Sequence, residues 1–310
     1  MERILVTGGA GYVGSTLVGH LLRKGYTVNV VDRLMYDNGY TMINYFKEKN
    51  FNFIKGDVRD ELLMKKLVRD CDCIIHLAAI VGFPACEKDQ DLARSTNLEA
   101  TKNISRLLSK NQAIIYASTG SNYGSVDGIC TEETPLNPIS LYGKTKTQAE
   151  SWLLEHNTTI AYRFATAFGL SPRTRLDLLI NDFVYEAAIN KYLIMFEKEF
   201  KRTFIHVDDM ATSFVFALEN MNKMIGEVYN VGDSSNNYNK EDIALLIKRK
   251  IDYYLHFADI NEDKDRRDYV VSYDKINTLG YKANISVEEG IDQMLRAIPV
   301  LEHNNKYRNV

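Results

Sequence analysis

The chain of 310 residues predicts an α/β fold, a doubly wound parallel sheet with a smaller C-terminal α/β region. Three observations carry that prediction. The apolar run Ile4-Leu5-Val6 passes into glycines at 8, 11 and 14 and then into an apolar helix. Strand-like and helix-like segments then alternate through the first half of the chain. The strand-like segments are short and continuously apolar, the pattern of strands covered on both faces, and such alternation folds as right-handed βαβ units.

The first turn, ILVTGGAGYVG from Ile4 to Gly14, is the most informative stretch. Gly8 permits a tight turn, Gly11 lets backbone approach a pyrophosphate, and Gly14 lets the new helix pack closely on its strand. Tyr12 and Val13 open that helix, whose free N–H groups and partial positive charge face the phosphates. After the helix Tyr12 to Leu22 and the turn at Lys24-Gly25, the strand TVNVVD ends at Asp32. A carboxylate there accepts the ribose hydroxyls and repels a 2′-phosphate, so the expected cofactor is NAD rather than NADP; Arg33 is the one residue that argues against this.

Composition bounds the rest. At 45% hydrophobic residues the chain can bury a large core, and five prolines argue against a disordered linker. A net charge of -3 without a basic tract gives no reason to expect nucleic acid or an anionic membrane as a partner. Cys71, Cys73, Cys86 and Cys130 form no CxxC pair, and Met1 runs directly into the first strand, which fits a reducing cytoplasm. The six histidines show no ligand spacing, so no metal site is expected, and no apolar run reaches membrane-spanning length.

A helical segment from Met42 to Lys49 leads to the strand FNFIKGD, then to a helix from Asp60 to Val68. Asp57 and Val58 fall at that strand's carboxyl end, the rim where open parallel sheets bind ligands. Asp57 is placed to bond an adenine amine and Val58 to pack on its ring. Asp60 is the better helix cap. The fourth strand, CDCIIHLAA, ends at Leu77, Ala78 and Ala79, where small side chains leave room for a cofactor, and His76 within it reads as a hydrogen-bonded core histidine. A long helical segment runs from Lys88 to Lys110 and carries Asn97.

The strand AIIYAST then brings Ser118 and Thr119 to the same rim. A loop follows, and a helix entered near Ser140 bears Tyr142 and Lys146 four residues apart, on one face. A tyrosine is a poor base at neutral pH, but an adjacent ammonium favours its phenolate. A phenolate so poised takes a hydroxyl proton while hydride leaves the same carbon, with Thr119 holding the substrate oxygen.

The set TGGAGYVG, Asp32, Asp57-Val58, HLAA, STGSNYG and YGKTK resembles the extended short-chain dehydrogenase/reductase family of nucleotide-sugar epimerases, dehydratases and dehydrogenases, and the resemblance runs through essentially the whole chain. It implies a Rossmann domain over residues 1–168 plus about 203–232, a nucleotide-sugar-binding region over about 169–202 plus 233–310, and a homodimer. It assigns Thr119, Tyr142 and Lys146 as catalytic, with Lys146 also a ribose ligand. Asn97 matches an asparagine near the cofactor, and Phe164 falls where the chain passes the nicotinamide. On the substrate side Asn181 matches a diphosphate contact, and Arg202 with Arg266 or Arg267 match arginines that grip the nucleotide. Thr166 replaces the family's more usual asparagine.

The resemblance also orders the reactions. A 4,6-dehydratase of this family has Asp-Glu directly after the catalytic Thr, and here Gly120 and Ser121 stand there, which disfavours dehydration. RFATAFGLSPRTRLDLLINDF and KRTFIHVDDMA are similar to the substrate half of bacterial GDP-heptose 4-dehydrogenases of capsule synthesis, which makes oxidation of a C4 hydroxyl the first expectation, with a 2-keto acid as a candidate oxidant. STGSNYG and YGKTK look more like ordinary epimerases, so 4-epimerisation stands beside it. A non-catalytic NAD-binding regulator is the reading from another class, and the intact Thr119, Tyr142 and Lys146 set speaks against it.

Overall fold

Seven parallel strands, numbered along the chain, form the central sheet of the computed structural model: β1 (Arg3–Thr7), β2 (Thr27–Asp32), β3 (Phe51–Lys55), β4 (Cys73–His76), β5 (Ala113–Thr119), β6 (Thr159–Phe164) and β7 (Glu227–Val231). Residues 2–126, 128–155, 158–199, 201–258, 270–301 and 307–309 are described. The strands lie in the order β7-β6-β5-β4-β1-β2-β3. The direction of winding therefore reverses between β1 and β4, and the crevice of a doubly wound sheet opens at that reversal. Register places Thr7 beside Val31 on one flank and His76 on the other, so these strands present their carboxyl ends along one rim.

Alternation along each strand feeds two helical layers. Ile4, Val6, Val28, Val30 and Ile75 pack with Leu17, Val18 and Leu21 of the helix Tyr12–Arg23 and with Phe214 and Leu218 of the helix Val207–Glu219. Leu5, Val31, Ile74, Ile114 and Tyr116 point the other way, onto Met64, Ile104, Ala149 and Leu153. Both faces are covered, which is why the inner strands read as apolar runs rather than as an alternating pattern. A separate core gathers Phe168, Ile180, Val184, Phe204, Ile243, Ile247, Val287, Ile291 and Met294 around the later helices. Short strands join the two bodies: Lys201–His206 pairs with Thr166–Phe168 and with Asn237–Asn239. No helix among the described residues is long and apolar enough to cross a membrane.

Two segments differ from the sequence expectation. The segment expected as a helix from Met42 to Lys49 is a 3₁₀ stretch, Asn38–Lys47. The helix expected from Lys88 to Lys110 runs from Gln90 to Leu107 with a π-helical turn, Ser95–Glu99, inside it, and a separate short helix, Phe83–Lys88, precedes it. Asp89 separates the two, leaving the helical region at φ -145° and capping the next helix through Leu92 N–H. The π turn widens the helix at Asn97, and such turns concentrate at functional sites.

The turn after β1 is held by contacts that admit no side chain. Gly8 has φ +70°, and a Cβ there would lie 2.8 Å from Ala78 Cα; one on Gly14 would lie 2.5 Å from the Gly8 carbonyl oxygen and 2.6 Å from Gly9 Cα. Backbone on both sides leaves no room to relax. Gly14→Ala is therefore expected to lower unfolding stability by about 2–3 kcal/mol, read from urea midpoints. Gly11→Ala, whose Cβ would meet the Gly8 oxygen at 3.1 Å, should cost clearly less.

Candidate active site

A cavity of about 1050 Å³ opens along the carboxyl rim of the sheet and continues toward the second core. Gly8, Gly11, Tyr12, Val13 and Gly14 line its start, Asp32, Asp57 and Val58 one side, and Leu77, Ala78 and Ala79 its floor. Thr119, Tyr142, Lys146 and Phe164 line the middle, and Arg202 the far part. Residues more than a hundred positions apart thus share one wall.

Asp32 is held by the turn it faces. Its carboxylate accepts from Ala10 N–H at 3.0 Å and Leu34 N–H at 2.8 Å. Burial raises its carboxyl above the ordinary range, and the two backbone donors oppose the shift. Arg33, the residue that argued for NADP, lies 3.4 Å from Asp57, whose carboxylate also accepts from Arg59 at 2.7 Å. The Arg59 guanidinium holds the Asp57 carboxyl below its ordinary range. The Arg33 charge is thereby balanced within the protein, while Asp32 remains an acceptor toward the cavity.

His76 is a fully structural group. Its Nε2–H donates to Thr101 Oγ1 at 2.9 Å, since the Thr101 hydroxyl itself donates to Asn97 O at 2.9 Å. Its Nδ1 then accepts from Thr7 Oγ1 at 2.6 Å, and the Thr7 oxygen in turn accepts from Leu77 and Ala78 N–H. Burial pushes the imidazole down to about 3, so it stays neutral. Asn97 works at one remove from the cavity wall: it clamps Ile80, accepting from its N–H at 2.8 Å and donating to its carbonyl at 2.9 Å. The floor is fixed by backbone contacts that sequence spacing does not display.

Ser140 caps the helix Leu141–Leu154 by accepting from Gly143 N–H at 3.1 Å, which turns Tyr142 and Lys146 toward the cavity. Thr119 stands at the end of β5, its hydroxyl donating to Ser121 Oγ at 3.2 Å. Lys146 is 3% exposed and its Nζ lies 4.0 Å from the Tyr116 ring centroid. Burial pushes its ammonium down to about 7, with the Glu150 carboxylate opposing.

Beneath these groups lies a buried polar network that the sequence reading did not detect. Glu150 accepts from Ser118 Oγ, from Asn122 Nδ2 at 3.0 Å and from Arg163 Nη2 at 2.6 Å. Arg163 also donates to Tyr123 Oη at 3.1 Å, and Tyr123 to Asn230 Oδ1 at 2.6 Å. The network connects β5, the helix Leu141–Leu154, β6 and β7. Glu150 lies one turn beyond Lys146, on the face that already carries Tyr142, so helical spacing was the available signal.

On the substrate side the loop after Thr166–Phe168 brings in two arginines that the sequence reading passed over, Arg173 and Arg175, and both line the cavity. Arg175 forms a bidentate pair with Asp177 at 2.7 and 3.1 Å. Asn181 is fully buried and away from the wall: it accepts from Gly169 N–H at 2.9 Å and donates to the Gly169 and Arg175 carbonyls. Its amide shapes the loop on which the arginines stand. Arg266 and Arg267 lie outside the described residues.

The fold and this wall define a dinucleotide-dependent enzyme class with hydroxyl and ammonium groups at the reacting end of the cavity. The chain belongs to the NAD dependent epimerase/dehydratase family, whose model matches residues 4–232. It is 30% identical to the low-salt glycan biosynthesis protein Agl12 of Haloferax volcanii, over 93% of this chain and 96% of that one. It is 28% identical to a putative UDP-glucose 4-epimerase of Methanocaldococcus jannaschii, over 98% and 99%. Among solved structures, the UDP-glucuronic acid 4-epimerase of Bacillus cereus with UDP-glucuronic acid and NAD superposes with a TM-score of 0.86 at 26% identity, over 97% of this chain and 100% of that one.

The Lys146 environment makes stability depend on pH in a defined direction. Its folded value of about 7 lies below the ordinary 10.5, so between those values the unfolded chain binds more protons and stability rises with pH. The penalty is fully present below pH 7. Lys146→Met is expected to melt above the parent at pH 6 in ligand-free protein, with the gap closing toward pH 10, measured by calorimetry.

Proposed function

We propose that this chain interconverts nucleotide sugars by NAD-dependent epimerisation at C4, with Thr119, Tyr142 and Lys146 as the catalytic set. The observation that carries the reading is the reacting wall itself: Thr119, Tyr142 and Lys146 share the cavity with the glycine turn, and Gly120 and Ser121 follow Thr119 where elimination of water needs an acid and a base. The putative UDP-glucose 4-epimerase and the UDP-glucuronic acid 4-epimerase among its relatives support it.

Bound NAD supplies a hydride acceptor that later returns the hydride. Asp32 receives the ribose hydroxyls, and the N-terminus of the helix Tyr12–Arg23 receives the pyrophosphate. Thr119 orients the sugar oxygen. Tyr142 removes the proton from that oxygen and restores it after the keto sugar has presented its other face. Lys146 holds the charge that keeps the phenolate accessible, in a pocket dry enough to depress its own ammonium. The Arg202 guanidinium pairs with the negative charge of the nucleotide portion.

Oxidation at C4 without return of hydride, the first expectation from the sequence, would use the same residues and differ in product. Incubation with UDP-, GDP-, CDP- and dTDP-sugars, followed by mass and chromatography, separates the two. A new peak of unchanged mass without net NADH is the expected result. A product lighter by two hydrogens, with stoichiometric NADH, would replace epimerisation by dehydrogenation. Tyr142→Phe should lower turnover about 10²- to 10⁴-fold while NAD content stays at the parent level.

A further inference from the structure

The cavity-lining arginine Arg173 differs from its buried neighbours Arg163 and Arg175. Arg163 is neutralised by Glu150 and Arg175 by Asp177. Arg173 is 1% exposed, yet among the described residues its guanidinium contacts neutral groups: Asn309 Oδ1 at 2.8 Å, the Thr174 carbonyl at 3.4 Å and the face of Tyr36 at 4.9 Å. Among the described residues no carboxylate lies within ion-pair distance of it. Burial, and then the neighbouring Arg175, push its guanidinium down from its ordinary range, with the more distant Asp177 carboxylate, already paired with Arg175, opposing only in part. A buried charge without a counter-ion destabilises the fold that holds it, so an anion at that point stabilises the protein strongly.

Its position narrows the anion. Arg173 N–H donates to Ser15 Oγ at 3.3 Å, beside the helix whose amino end faces the cavity. The same loop is tied to that helix where Tyr12 Oη donates to the Gly169 carbonyl at 2.7 Å. Arg173 therefore sits where the glycine turn meets the substrate loop. The far end of the chain fixes it there: the Tyr307 carbonyl accepts from Leu176 N–H at 2.7 Å, Arg308 pairs with Asp182 at 3.0 Å, and Asn309 lines the cavity while orienting the guanidinium. With Asn309 Oδ1 occupied by Arg173, the amide N–H pair is the group Asn309 offers to an occupant.

We propose that Arg173, oriented by Asn309 and Tyr36, is a pyrophosphate-binding residue, and that the segment Tyr307–Asn309 is a structural part of that site. The ligand chemistry is a diphosphate diester, whose equatorial oxygens match a planar fork of donors. Two molecules bring such a group to this cavity, the dinucleotide and the sugar nucleotide; the second rests on the function proposed above.

Two variants test it. Arg173→Met removes the charge at similar length, and Asn309→Asp places a carboxylate against the guanidinium, giving Arg173 an internal counter-ion that competes with the ligand. The measurements are the Kd for NAD, the Kd for UDP and UDP-glucose on NAD-loaded protein, and the melting temperature without ligand. Both variants are expected to weaken one of the two ligand types about 10- to 100-fold and to melt, ligand-free, at or above the parent. Loss confined to NAD assigns the dinucleotide pyrophosphate, and loss confined to UDP and UDP-glucose assigns the sugar nucleotide. Affinities within about twofold of the parent for both ligand types in both variants would overturn the proposal, as would a lower melting temperature with unchanged affinity, the result for a mere anchor. A parent that binds NAD but neither UDP nor UDP-glucose would count against a uridine nucleotide as substrate and leave this inference to be decided by the NAD arm.

Discussion

The Glu150–Arg163 ion pair is the constraint on which the reacting half of the molecule depends. Both side chains are almost completely buried, and a charge in that environment is tolerated only with a close partner and satisfied hydrogen bonds. The pair meets both conditions by drawing donors and acceptors from β5, β6, β7 and the helix that carries Tyr142 and Lys146. Displacing the helix from β6 unpairs a buried charge, and displacing β5 or β7 strips hydrogen bonds from the groups around it. The geometry of Thr119 against Tyr142 and Lys146 is therefore defended by a penalty rather than by packing alone.

The same device recurs across the cavity with differing completeness. Where the wall must be rigid, each charge is closed by a neighbour: Asp57 by Arg33 and Arg59, Arg175 by Asp177, Asp182 by Arg308. Lys146 is only partly compensated, by Glu150 at a distance and the Tyr116 ring, and its ammonium is correspondingly weakened. Ligands enter where protein charges are least satisfied. The wall is thus a graded surface, tight around its supports and electrostatically incomplete where chemistry or binding occurs.

Much of this was legible in the sequence because it is local. The glycine turn, Asp32 at the end of β2, and Tyr142 with Lys146 on one helical face are set by spacing, and spacing survives translation into structure. What escaped depends on contacts between distant elements. Arg173 and Arg175 received no role in the sequence reading, since nothing in PRTRLD states that the loop folds back against Ser15. Asn181 was expected at the diphosphate because its position matched a motif, yet its amide is occupied by the backbone of its own loop. The short helix Phe83–Lys88 was missed because only one extended residue, Asp89, separates it from the longer helix that follows.

The tie between Tyr12 and Gly169 joins residues 157 positions apart. It bears on how the protein is made. The glycine turn leaves the ribosome early, but the wall that faces it is assembled from a loop synthesised after six of the seven central strands, and β7 must still arrive to cover β6. Contacts of such long range form late and slowly. A nascent chain stalled between the helix Leu141–Leu154 and β6 would hold Glu150 without its partner Arg163, so the cofactor can be enclosed only after most of the chain is available.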